Sequence, residues 1–197
     1  PQVCMNGALG GNLEVLQWLR EQGCTWAAKS FRCAAIEGNL NVMKWMKENE
    51  CPWDESALND AASAGQLKAV KWLWKNGCPT GKNEIDANKA FHLHVVKWLR
   101  KKGYSWGTNV FCWAATNGDV EALKWMRKDG CPWGQGVAGI AAINANVEFL
   151  KLALEDGCPW NSYSCSDAAY NGDFEMLKWL RDQGCPWEED NLCISAI

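Results

Sequence analysis

An all-α solenoid of helix-turn-helix repeats is the fold class that this sequence predicts, and three observations predict it. The string GCPW, or a near copy of it, recurs so that Cys24, Cys51, Cys78, Tyr104, Cys131, Cys158 and Cys185 follow at intervals of 27, 27, 26, 27, 27 and 27 residues. A period between 20 and 50 residues marks an array whose units cannot bury their own apolar faces and must lean on neighbours. Apolar residues inside each period recur at helical spacing. A pair of alanines recurs at a fixed place in nearly every unit. Residues 1–197 therefore read as a single array of about seven 27-residue units, irregular in the unit spanning 78–103.

The unit that opens at Tyr104, YSWGTNVFCWAATNGDVEALKWMRKDG, shows each element in order. The segment NVFCWAAT is apolar for about two turns and stops at Gly118, a natural helix exit, so a short first helix is predicted. Asp119 is a capping residue, and the following VEALKWMRK places Val120, Leu123 and Met126 on one side with Trp125 on the flank. That is a second, amphipathic helix. Gly130 ends it, Pro132 prevents its renewal, and a short extended connector leads into the next unit.

The first helices carry Ala34 and Ala35, Ala61 and Ala62, Ala114 and Ala115, Ala141 and Ala142, and Ala168 and Ala169. Paired alanines let neighbouring helices approach closely at little entropic cost, which predicts a stacking seam. Two tryptophan ladders account for 12 of the 14 Trp. One, on the second helix, is Trp18, Trp45, Trp72, Trp98, Trp125 and Trp179, with Leu152 standing in once; the other, in the connector, is Trp26, Trp53, Trp106, Trp133, Trp160 and Trp187, with Thr80 as its exception. Strict recurrence favours core and inter-unit packing over a ligand platform.

The pattern L/F-x-x-A-A-x-x-G-x-L/V-x-x-L/V-K-W-L/M-x-x-x-G resembles the ankyrin repeat, with its paired Ala, turn Gly and Leu/Val-rich second helix ending in Gly. The usual period is 33 residues and here it is 27, the missing six falling between the terminal Gly and the next Ala pair. The resemblance covers nearly the whole chain and looks like a short, Trp- and Cys-rich variant of the type found in giant viruses and algae. It implies an ankyrin-like solenoid with the β-hairpin fingers shortened or absent, and a non-enzymatic scaffold for protein-protein interaction.

Positions that vary between units point to where a partner would bind. Trp113, outside both ladders, with Thr116, Ile140, Ile143 and Tyr170 forms a candidate apolar patch over three units, flanked by Asp167 and Asp60; filling of a local gap by Trp113 is the structural alternative. The lysine row at 44, 71, 97, 124, 151 and 178 reads as a solvated outer face, because Glu121, Glu148 and Glu175 stand three residues before Lys124, Lys151 and Lys178. Basic residues are densest in the irregular unit, at Lys97, Arg100, Lys101 and Lys102 with Lys82 and Lys89 before them. That unit puts Phe91 or His92 at the turn glycine's place and offers Ile85 as a core residue.

Cysteines spaced by whole units stand roughly 10 Å apart in stacked helices, too far to share a zinc ion or a disulfide. Neither Cys24 with Cys33 nor Cys158 with Cys165 has a zinc-like spacing, and the two histidines, His92 and His94, are poorly placed to share an ion. No nucleophile with a positioned base and no phosphate-binding loop is found; GQGVAG at 134–139 is a connector entering a helix. The reading is no enzyme, no cofactor, no metal and no small-molecule substrate.

Composition agrees with a globular chain, 48% hydrophobic and 22% charged, with a formal charge of −3 that gives no long-range pull toward nucleic acid or an anionic membrane. No apolar run approaches a membrane span. The odd count of 11 cysteines points to reduced thiols and an intracellular setting, cytoplasm or nucleus. The first unit opens within a helix at CMNGALGG and the last stops at LCISAI without an evident polar cap, so a segment of a longer chain, or ends that meet a partner, is expected. The leading function is binding of a protein of unknown identity. The alternatives are a structural spacer or assembly subunit and, more remotely, nucleic-acid binding by the lysine-rich face.

Overall fold

The computed structural model describes residues 2–81, 84–85, 92–107, 110–160 and 163–185. Lys82, Asp86, Lys89, Phe91, Trp187 and the side chain of Ile85 lie outside them. The chain divides into two compact units, 1–105 and 106–197.

The first unit holds α1 (Gln2–Gly10), α2 (Leu13–Glu21), α3 (Ala28–Ile36), α4 (Leu40–Glu48), α5 (Glu55–Ser63), α6 (Leu67–Lys75), the short strand β1 (Glu84–Ile85) and α7 (Leu93–Lys101). β1 pairs with β2 (Ser105–Trp106), whose Ser105 ends the unit. Among the described residues these two-residue strands are all that is left of a β-finger; the connector Cys51–Asp54 has none. The second unit holds α8 (Phe111–Asn117), α9 (Val120–Lys128), α10 (Val137–Ile143), α11 (Val147–Glu155), α12 (Ser164–Tyr170) and α13 (Phe174–Asp182).

Within each unit the architecture is an all-α series of helical hairpins. First helices stack on first helices, α1 on α3 on α5 and α8 on α10 on α12, while second helices form the other layer, α4 on α6 on α7 and α9 on α11. The described helices are seven or nine residues long, too short to hold alone in water, so the stacking faces carry them. Those faces are the expected alanine seam, with Ala34, Ala35, Ala61, Ala62, Ala114, Ala115, Ala141, Ala142 and Ala168 all fully buried. Leu16, Met43, Val70, Val96, Leu123 and Leu150 are the buried side chains at the matching place of the second helices.

The helix ends explain why Gly and Cys travel together. In α9 the Cys131 N–H bonds Met126 O at 2.9 Å and the Gly130 N–H bonds Arg127 O at 3.0 Å, the paired bonds of a Schellman closure, with Gly130 at φ +76°. The residue after such a glycine folds back on the helix, which buries Cys131 completely. The same closure ends α2, α4, α6, α7, α11 and α13, with Tyr104 replacing Cys after α7. The starts are capped: Asn12, Asp119 and Asp173 accept from the N–H of Val15, Ala122 and Met176, each cap contributing about 1 kcal/mol.

Candidate interaction surface

The first helices of the second unit present their C-terminal ends in register. Thr116 ends toward solvent at the close of α8, Ile143 is 47% exposed at the close of α10 and Tyr170 is 77% exposed at the close of α12. Cross-unit amides hold these ends. Asn146 Nδ2 donates to Ala115 O at 2.6 Å and to Thr116 O at 3.0 Å, and Asn171 Nδ2 donates to Ile143 O at 2.5 Å. Ile140 and Asp167 are half-buried one helical turn earlier, and desolvation raises the Asp167 carboxyl above its ordinary range.

Trp113 is elsewhere. Its ring is only 6% exposed, and its indole N–H has no hydrogen-bond partner. Helix α10, which packs on α8, is small at Ala138, Gly139, Ala141 and Ala142. Of the candidate patch residues, Thr116, Ile143 and Tyr170 are exposed, Ile140 and Asp167 are half-buried and Trp113 is buried. Asp60, in the other unit, is engaged by Arg32 Nε at 2.6 Å.

The tryptophan ladders are half-buried in the structure, and Trp18 is 57% exposed. A core site would strand each indole N–H, whereas a seat at the seam lets the ring pack and still donate. Trp26 Nε1 donates to Asn49 O at 3.2 Å, Trp106 Nε1 to Asp129 O at 3.2 Å and Trp133 Nε1 to Asp156 O at 3.3 Å. In each case the acceptor is the C-cap carbonyl of the next second helix. The connector ring also meets the next helix ring edge-on, at 5.6 Å for Trp26 and Trp45, 5.9 Å for Trp53 and Trp72, and 5.8 Å for Trp106 and Trp125.

A third layer went unread in the sequence. Arg20 lies 4.7 Å from the centroid of Trp26, Lys47 3.8 Å from Trp53 and Arg127 4.6 Å from Trp133. Arg20 and Arg127 also donate to the carbonyls of Cys24 and Cys131. The layers run cation, connector Trp, helix Trp, at positions n, n+6 and n+25. A cation two residues after each second-helix ladder tryptophan except Trp72 was the available signal. The lysine row is less uniform than expected: Lys178 pairs with Glu175 at 3.5 Å, while Lys151 faces Trp179 at 5.5 Å.

No three His, Cys, Asp or Glu side chains gather among the described residues. Burial pushes the thiols of Cys51 and Cys185 up to about 12 and those of Cys78 and Cys158 up to about 11. The cysteines that do meet are Cys4 with Cys24 and Cys165 with Cys185, each pair joining a first helix to the connector of its own hairpin. His92 caps α7 with its ring over Gly65, and the His94 ring nitrogen contacts Gly65 O at 3.1 Å, so both histidines are absorbed by a turn. No described helix is long and apolar enough to cross a membrane.

No family model matches the chain, and no curated protein matches it. Among solved structures, the ankyrin repeat domain of human ASB11 is similar to it, at 19% identity and a TM-score of 0.43, over 93% of this chain and 84% of that one.

Proposed function

We propose that the chain is a non-enzymatic protein-interaction scaffold, a short-period array of ankyrin type that holds a protein partner on the first-helix ends of its second unit. The observation that carries the reading is the exposure of Ile143 and Tyr170 on successive, mutually packed helices. A free surface seldom spends two large apolar side chains in one register, and Asn146 and Asn171 hold their helix ends in place before any partner arrives. Thr116 and Asp167 give the polar margin that such an interface needs.

The test is capture from a native lysate by three baits of equal thermal stability: the natural chain, Ile143→Ser with Tyr170→Ser, and Lys44→Ala with Lys71→Ala on the second helices. A protein held by the first and third baits and lost by the second supports the reading. Equal retention by all three, or none by any, removes it.

A further inference from the structure

Arg20 with Trp26 and Trp45, and Lys47 with Trp53 and Trp72, form three-layer stacks, and Trp106 on Trp125 repeats the two ring layers at the same register. The stack of Arg127 and Trp133 lacks its third ring, because Leu152 stands at the place of Trp45 and Trp72. A groove of about 490 Å³ lies there between α9 and α11, floored by Leu123 and Leu152. Its volume falls within the range of small-ligand sites.

We propose that this groove receives an aromatic ring from another molecule, an indole that bears a carboxylate, as in a tryptophan beside acidic residues in a partner peptide. The ring follows from the register: Trp45, Trp72 and Trp125 each pack an indole on a connector Trp, and here Leu152 stands at that place and lines the groove beside Arg127. The carboxylate follows from the rim. Lys124 and Lys128 line the groove, Arg127 is neutralised by its ion pair with Asp156, and Glu155 is the one further acid in the lining, Glu121 standing outside it a turn before Lys124. The site is separate from Thr116, Ile143 and Tyr170 and does not depend on a partner binding there.

The experiment is a titration of the whole chain, with its leucine methyl groups labelled for NMR, by N-acetyl-tryptophan and by its neutral amide. The Leu123 and Leu152 methyl signals shift saturably with N-acetyl-tryptophan, at a Kd on the order of 1 mM, and about threefold more weakly with the amide. Leu152→Trp supplies the missing ring and abolishes the Leu123 shift, with a melt confirming that the variant folds. Lys124→Gln with Lys128→Gln erases the preference for the acid. No shift at Leu123 and Leu152 in the natural chain overturns the site whatever the variants do, as does a Leu123 shift that persists in folded Leu152→Trp. Equal affinity for acid and amide overturns the carboxylate.

Discussion

Trp74 meets Trp98 edge-on with ring centroids 5.9 Å apart, and Lys102 covers both, at 4.3 Å and 5.6 Å. Thr80 stands where a connector tryptophan would separate the layers, and Trp74 stands two residues after Trp72, the place that Arg20, Lys47 and Arg127 occupy in their units. The cation and the middle ring are thus lost together, and Trp74 heals the gap by packing directly on the next helix ring. Trp74 is 41% exposed, so exposure alone predicts little effect of its removal. The stack predicts otherwise: Trp74→Ala costs about 1–2 kcal/mol, and Trp18→Ala stays within about 0.5 kcal/mol. Urea unfolding of both variants checks this. A double-mutant cycle of Trp74 with Trp98 returns a coupling of about 0.5–1.5 kcal/mol, and additive losses defeat the argument.

Backbone strain marks two positions for improvement. Glu50 sits at φ +59° where other second helices close with glycine, and Ala145 sits at φ +53° where first helices turn on Gly118 or Gly172. A side chain in the left-handed region costs about 1–2 kcal/mol, partly offset by the greater freedom that glycine gives the unfolded chain. Glu50→Gly and Ala145→Gly are each expected to stabilise by up to about 1 kcal/mol. Gly118→Ala goes the other way by more than about 2 kcal/mol, since its Cβ comes within 2.7 Å of Asn146 Oδ1 and disrupts the bonds of Asn146 to Ala115 and Thr116. Melting temperatures that move opposite to these signs refute the strain assignment.

The hairpins were legible because their signals are local: Gly118 and Asp119 name a turn and a cap within two residues, and Leu123 and Met126 name a face within one turn. The contacts between units were not. Arg127 meets Trp133 across a helix end and Trp133 reaches the Asp156 carbonyl 23 residues on, separations that no helical or strand period contains. An arginine on an amphipathic helix reads as solvent face, although here its stem and guanidinium form a packing surface. Departure from a ladder marks Trp113 as an unusual site without saying that its ring is buried. Cys165 and Cys185, 20 residues apart, meet through the hairpin fold, whereas the nearer pair Cys158 and Cys165 does not.

The buried thiols set the alkaline limit of stability. Burial pushes the thiols of Cys51 and Cys185 up from 9.0 to about 12 and those of Cys78 and Cys158 to about 11. Between those values the unfolded chain gives up protons that the folded chain keeps, so stability is full below pH 9 and falls as pH rises toward 11 to 12. Each thiol contributes a slope of up to about 1.4 kcal/mol per pH unit. Urea midpoints followed from pH 7 to 10.5 are expected to hold and then fall, and replacement of Cys51, Cys78 and Cys158 by Ala to flatten the fall relative to the natural chain. An unchanged alkaline slope in that variant assigns the loss to other groups. Alkylation at pH 8 follows the same order, reaching the half-buried Cys33 and Cys112 before Cys131 or Cys158.

Trp113 separates packing from recognition. Its ring is buried, so Trp113→Ala leaves a cavity worth about 3–5 kcal/mol. Trp113→Phe keeps most of the apolar area and removes an indole N–H that has no acceptor, which offsets part of the lost volume; its cost is expected below about 1.5 kcal/mol. A residue that touched a partner would show the reverse, with a stable alanine variant and binding lost in both. Chemical denaturation of the two variants, followed by partner capture at a temperature where each is folded, decides the matter: retained capture by Trp113→Phe leaves recognition to exposed residues such as Thr116, Ile143 and Tyr170, and lost capture brings Trp113 into the interface.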